Sequence, residues 1–179
     1  EGSQLNLLAN EEIAIRELLR GLLIKSGNDA ARALAIYHSG SIEDFVREMN
    51  LRAQTLNLKN TNFKNPEGLD EEDHYSSAND LLVITQALWK YPFFRQTVNT
   101  KETIIKSLSG PARPVKNTNK FLSSEVQGIK TGTTDLAGQC LLLYLDKDGH
   151  QVFTIVLGSQ DRYYDSRRFI EDIWEKITW

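Results

Sequence analysis

Two short stretches hold the residues whose types and spacing can do chemistry. Ser26-Gly27-Asn28 offers one hydroxyl and one carboxamide, both able to donate and accept hydrogen bonds. Lys130-Thr131-Gly132-Thr133 offers a cation, hydroxyls, and a position without a side chain where a ligand can approach the backbone. Each is ordinary alone, because Ser-x-Asn between helices usually caps or turns the chain and Lys-Thr-Gly is common. Their occurrence in this order, the first at a helix junction and the second closing a strand before a hairpin, is the signal.

The elements that must position them are legible from apolar spacing. Asn10 can cap a helix with Glu11 and Glu12 in its first turn and Ile15, Leu18, Leu19, Leu22 and Leu23 on one face, stopping near Lys25. An Ala-rich helix over 29–37 is closed by Gly40. Ser41, with Asp44 three residues on, resembles a capping box for a helix to about residue 56. Polar turn residues fill 57–77, including "NPEGLD", and Ser77 or Asn79 caps a further helix through Trp89 that Pro92 ends. Residues 101–120, with Pro111 and Pro114, read as strand and loop pieces.

The last third predicts a strand over 126–131 and an antiparallel hairpin of 139–145 and 152–157 around Asp148-Gly149. A final helix over about 163–177 places Phe169, Ile170, Ile173, Trp174 and Ile177 on one side, to cover the sheet. The expected layout is one α+β domain over 1–179, mainly helical over about 10–100 and sheet with a terminal helix over about 101–179.

Composition narrows the function classes. The 179 residues carry 40% hydrophobic residues, enough for a core, and a net charge of −3, which supplies no broad basic field for nucleic acid. The single cysteine, Cys140, excludes an internal disulfide framework, and no Cys/His cluster has zinc-ligand spacing. No segment approaches the roughly 20 apolar residues of a membrane span.

The chain resembles the serine D-alanyl-D-alanine carboxypeptidases, low-molecular-mass penicillin-binding proteins of the peptidase S11 family and relatives of the serine β-lactamases. The resemblance runs through "LLRGLLIKSGNDAARALA", "FVREMNLRAQTLNLKNTNFKNPEGLD", "HYSSANDLLVITQAL", "NTNKFL" and "GIKTGTTDLAGQCLL", in the family's order. "NPEGLD" and "HYSSAND" look like carboxypeptidase, and a Glu-x-x-Leu-Asn deacylation motif is lacking. The fold this implies is the β-lactamase/transpeptidase-like one, a helical subdomain packed against an antiparallel sheet.

The resemblance also implies roles. Lys130, Thr131 and Gly132 match the family's third motif, whose strand edge binds the substrate backbone and whose lysine and threonine attract the terminal carboxylate. Thr133 stands where a backbone N–H forms half of the oxyanion hole. Ser26 and Asn28 match the second motif: the hydroxyl passes a proton toward the leaving amine, and the amide orients the substrate and the catalytic lysine. Arg162 either adds positive charge near the carboxylate pocket or forms a surface ion pair. The implied reaction is acyl transfer through a serine acyl-enzyme, releasing terminal D-alanine from peptidoglycan stem peptides. β-Lactam antibiotics would enter the same step, and no cofactor or metal is implied.

The departure concerns the nucleophile. The family's first motif, Ser-x-x-Lys, is absent, and Thr103-Ile104-Ile105-Lys106, its nearest imitation, falls between the other two motifs and reads as a strand. The favoured expectation is that the chain begins after the nucleophile helix, since residues 1–10 resemble the family's link between first motif and next helix. On that expectation a Ser-x-x-Lys stands roughly 30 to 50 residues before Ser26 in the parent frame. A missing N-terminal segment would then complement this piece, and its loss would expose apolar surface on the helices of 18–34. The alternatives are a peptidoglycan-binding pseudoenzyme and a serine β-lactamase. The substrate places a family member on the outer side of a bacterial cytoplasmic membrane, periplasmic or at the cell surface. His38, His74 and His150 are expected in surface or capping roles, and Trp89, Trp174 and Trp179 near the core. Asp70 to Asp73 reads as an acidic loop with two roles, a cation site or, as the favoured expectation, a solvated turn.

Overall fold

Apolar residues crowd both faces of one strand, and that strand organises the molecule. The computed structural model describes residues 2–176, and in it the strand, β4 (Gly138–Lys147), is central between β3 (Val126–Thr134) and β5 (His150–Ser159), all antiparallel. Successive side chains of a strand point to opposite faces. Leu141, Leu143 and Leu145 therefore lie together under Ile170, Ile173 and Trp174 of the C-terminal helix, whereas Tyr144 packs with Phe94, Val98 and Ile129 on the other side. A sheet covered on both faces explains why the expected hairpin is almost continuously apolar. Asp148 and Gly149, at φ 53° and 84°, make the two-residue turn that joins β4 to β5. Positive φ at both positions is what such a hairpin turn requires.

The helical half precedes the sheet: α1 (Ile15–Arg20) continuing into a π-helical turn (Gly21–Lys25), then α2 (Asn28–Ser39), α3 (Ile42–Thr55), α4 (Ala78–Trp89) and α5 (Pro92–Val98). A two-stranded ladder, β1 (Glu102–Ile105) with β2 (Arg113–Lys116), follows, and α6 (Arg162–Lys176) closes the chain. Caps fall where side-chain chemistry puts them. Ser41 Oγ accepts from Asp44 N, Ser77 Oγ accepts from Asp80 N, and Gly40 ends α2 at φ 84°. A further core joins Leu5, Leu18, Ile24 and Ala30 to Ile105 and Val115, so the helices and the small ladder share one apolar interior.

Three expectations are corrected and one is extended. Asn10 does not cap a helix; it sits at φ 60° in a turn, and α1 begins at Ile15 after Ala14. Glu11 is drawn elsewhere, since its carboxylate grips Arg113 across the fold. Pro92 ends α4 but also starts α5, standing at the first helical position where its missing N–H costs nothing. Phe169 is 54% exposed, and Tyr163 joins Ile170, Ile173 and Trp174 against the sheet instead. Residues 18–34 present no exposed large apolar side chain; the exposed ones flank that stretch, at Ile15, Ile36 and Tyr37. Ile177 and Trp179 lie outside the described residues.

Candidate active site

The π-helical turn and the residue that ends it make the first wall. Ser26 adopts φ 60°, ψ 42°, a left-handed conformation costing a non-glycine residue about 1 kcal/mol. Gly27 N–H reaches back to Gly21 O at 3.3 Å, and α2 starts at the next residue. Gly21 lets Leu5 pack closely, because a Cβ there would stand 2.2 Å from Leu5 Cδ1 and would push that side chain aside. The N-terminal segment is laced over this knot. Ser3 Oγ donates to Lys25 O (2.6 Å), Asn28 N–H donates to Ser3 O (2.8 Å), and the Asp29 carboxylate accepts from Leu5 N (2.9 Å) and Leu7 N (3.0 Å). The Asn28 carboxamide lies beside Gly2, its Nδ2 2.7 Å from where a Cβ would project.

The second wall is β3, the outer strand of the sheet, which pairs only with β4 among the described residues. Lys130 Nζ donates to Ser26 Oγ at 2.6 Å and to Thr131 O at 2.9 Å, so one cation joins the two walls. Its pKa is pushed down to about 8, chiefly by burial and further by the positive Arg162. Thr131 Oγ1 donates to Thr118 Oγ1 at 2.6 Å, and Thr133 Oγ1 accepts from Arg162. Gly132 is exposed on the strand, opposite Cys140 in register.

Arg162 is not a surface ion pair. It is buried at the head of α6, and its guanidinium donates to Gln139 Oε1 (3.1 Å) and Cys140 O (2.9 Å) besides Thr133. Among the described residues, the hydrogen bonds of Lys130 and Arg162 go to hydroxyls, carbonyls and an amide oxygen, none to a carboxylate. Lys130 and Arg162 therefore stand, among the described residues, without a carboxylate partner, beside the Thr131 and Thr133 hydroxyls on the outer strand of the sheet.

The structure thus brings Ser26, Lys130, Thr131, Thr133 and Arg162 into one connected set and places Gly132 and Asn28 at its borders. Asp29, at the start of the Ala-rich helix, and Gly21 hold the knot; of the two only Gly21 has no signal in the sequence, since an aspartate in the first turn of a helix is one. Asp70 also exceeds its expectation as a solvated turn. It is exposed, yet its Oδ2 accepts from Leu136 N at 3.0 Å just past the Thr133-Thr134 end of β3, and Thr134 with that amide lowers its pKa. The histidines lie away from the set: His38 pairs with Glu48, and His74 packs on Phe63 with its pKa lowered by burial.

Comparison with known proteins shows the family and the fold. The family model described as D-alanyl-D-alanine carboxypeptidase, peptidase S11, matches residues 1–161. D-alanyl-D-alanine carboxypeptidase DacF of Bacillus subtilis is 41% identical over 160 residues, covering 88% of this chain and 41% of that protein. A D-alanyl-D-alanine carboxypeptidase of Streptomyces sp. strain K15 is 36% identical over 170 residues, covering 88% and 58%. The crystal structure of the Streptomyces K15 DD-transpeptidase superposes with a TM-score of 0.89 at 33% identity, over 95% of this chain and 71% of that one. That of a Mycobacterium tuberculosis D-alanyl-D-alanine carboxypeptidase gives 0.89 at 26% identity, over 99% and 70%. The chain belongs to the peptidase S11 family of D-alanyl-D-alanine carboxypeptidases, with their α+β, transpeptidase/β-lactamase-like fold. It spans 41% and 58% of the lengths of those two curated relatives.

Proposed function

We propose that the protein removes the terminal D-alanine from peptidoglycan stem peptides through a serine acyl-enzyme, and that β-lactams acylate the same serine. The observation that carries this reading is the pair of cations, Lys130 and Arg162, without a carboxylate partner among the described residues and flanking the Thr131 and Thr133 hydroxyls on an edge strand. A free C-terminal carboxylate on an extended peptide meets each of those groups, with its backbone laid along β3. The Lys130–Ser26 contact provides a route for a proton toward the departing amine: Ser26 gives its proton to the amine and takes one from Lys130, whose depressed pKa makes that transfer easier. The backbone N–H of Thr133 supplies half of the oxyanion hole.

No Ser-x-x-Lys occurs in the 179 residues, so in this reading the nucleophile lies on a preceding segment that complements the piece, and the chain alone binds without turning over. The site of action is the outer side of a bacterial cytoplasmic membrane, where stem peptides are found.

The experiment is labelling of the complete reading frame with a fluorescent penicillin, together with D-alanine release from a pentapeptide ending in D-Ala-D-Ala. Covalent label and release are expected. A protein that contains Ser-x-x-Lys yet gives neither overturns the catalytic reading, and retention of peptidoglycan fragments without label would mark a binding module instead.

A further inference from the structure

The stretch Asn117-Thr118-Asn119 of "NTNKFL" has no part in the chemistry above, yet three sides of the site converge on its middle residue. Thr118 N–H donates to Ile24 O at 3.1 Å, two residues before Ser26. Its carbonyl accepts from Tyr163 Oη at 3.1 Å, one residue after Arg162, and its hydroxyl meets Thr131 Oγ1 at 2.6 Å. The flanking asparagines fix its backbone. Asn117 Nδ2 donates to Val98 O (3.0 Å) and Thr100 O (2.9 Å), its Oδ1 accepts from Asn119 N (2.9 Å), and Asn119 Nδ2 donates to Gly128 O (2.9 Å) in β3.

We infer that Thr118 is a positioning residue for carboxylate recognition: anchored to the Ser26 wall through its backbone, it aims and polarises the Thr131 hydroxyl through its own. The inference rests on the carboxylate-binding reading proposed above. In the structure the Thr131 hydroxyl donates to Thr118 Oγ1. A hydroxyl has one proton to give, so when Thr131 donates to an arriving carboxylate its oxygen becomes the acceptor. Thr118 is held where its own proton can rotate in to replace the lost bond. The result is a chain of two hydroxyls, Thr118 to Thr131 to ligand, in which each bond strengthens the next. Valine at 118 keeps the shape and the Ile24 link but leaves Thr131 to satisfy the ligand without support. Serine keeps the hydroxyl.

The test is calorimetric binding to the full chain of two peptides, N,N-diacetyl-L-lysyl-D-alanyl-D-alanine and its C-terminal amide. The wild type should prefer the carboxylate. Thr118→Val should lose about tenfold of that preference, with amide binding unchanged, and Thr118→Ser should restore it. If Thr118 acts through Thr131, then Thr118→Val adds nothing further in a Thr131→Val background. Thr118→Ala, which adds no volume, reads the same comparison should the valine variant not fold. A wild type that discriminates the two peptides while Thr118→Val discriminates equally well, or additive losses in the double variant, overturns the role of Thr118 alone. A wild type that binds neither peptide overturns the carboxylate-binding reading and this inference with it.

Discussion

Lys130 and Ser26, separated by 104 residues of sequence, meet at 2.6 Å between an ammonium and a hydroxyl, and this contact joins the two walls of the site. Burial and the nearby Arg162 hold the lysine near pKa 8 instead of its ordinary 10.5. A carboxylate arriving beside it favours the charged form and raises the pKa again. Binding of a D-Ala-D-Ala peptide should therefore take up protons around pH 8, and affinity should fall as pH rises beyond it. Calorimetry in two buffers of different ionisation enthalpy reads the uptake; a binding heat that does not depend on the buffer at pH 8 would sink the linkage. The same shift opposes folding. Between about pH 8 and 10.5 the unfolded chain holds the extra proton, so this group makes stability rise with pH across that window, and its penalty is fully present below it.

Arg162 pushes on Lys130 and holds Thr133, so Arg162→Gln should move two readouts in opposite senses. Removing the like charge raises the Lys130 pKa, measurable by NMR titration of the lysine side chain. On the carboxylate-binding reading, removing this cation should weaken carboxylate peptide binding by about tenfold or more. An unchanged Lys130 titration would show that the two cations do not sense each other.

The two motifs and most elements were legible in the sequence because their signals are local. Ser41 with Asp44, Gly40 and Asp148-Gly149 each specify a cap or turn within four residues. What was not legible depends on distant partners. Glu11 and Glu12 after Asn10 have the composition of a helix start, but Glu11 is claimed by Arg113, 102 residues on. The sequence leaves Arg162 open between the carboxylate pocket and a surface ion pair because neither Gln139 nor Cys140 O is near it in sequence, and the strand register brings them there. Thr118 carried no signal, since a threonine between two asparagines reads as a turn until its neighbours are known.

The Glu11–Arg113 pair is a bidentate, largely buried ionic tie outside the site. Both guanidinium NH groups meet both carboxylate oxygens at 2.7 Å, in side chains only 2% and 10% exposed, and Arg113 also donates to Asn6 O and Pro111 O. The hydrogen bonds from Arg113 bring the Glu11 pKa down to about 2. A depressed carboxylate gives its full contribution above the unfolded value near 4.5 and loses it as pH falls toward 2. Glu11→Gln leaves an uncompensated buried cation and should cost on the order of 3 kcal/mol at neutral pH. It should also flatten the acid limb of the stability curve between pH 4.5 and 2. Urea unfolding of the variant at pH 7 and pH 3 checks both; an equal acid limb in variant and wild type would contradict the assignment.

Asp29 holds the N-terminal segment against the Ser26 knot, and its removal tests whether that lacing shapes the site. Its carboxylate accepts from the backbone N–H of Leu5 and Leu7, and Leu5 is buried against Gly21 and Gly27, where its side chain crowds the space a Cβ would need. Asp29→Ala leaves the Leu5, Leu7 and Ala30 amides without this acceptor and frees Leu5 to withdraw. The cost should be about 2–3 kcal/mol, the penalty for stranding partly buried donors plus lost apolar contact. Because Ser3 also bonds Lys25 O and receives Asn28 N–H, the loss should spread to the residues that set Ser26 in its left-handed conformation. Hydrogen exchange of Leu5, Leu7 and Asn28 amides should accelerate by tenfold or more in Asp29→Ala while those of β4 stay protected. If all three amides kept their wild-type exchange rates, the segment would be held by apolar packing alone and the carboxylate would have no part in shaping the Ser26 wall.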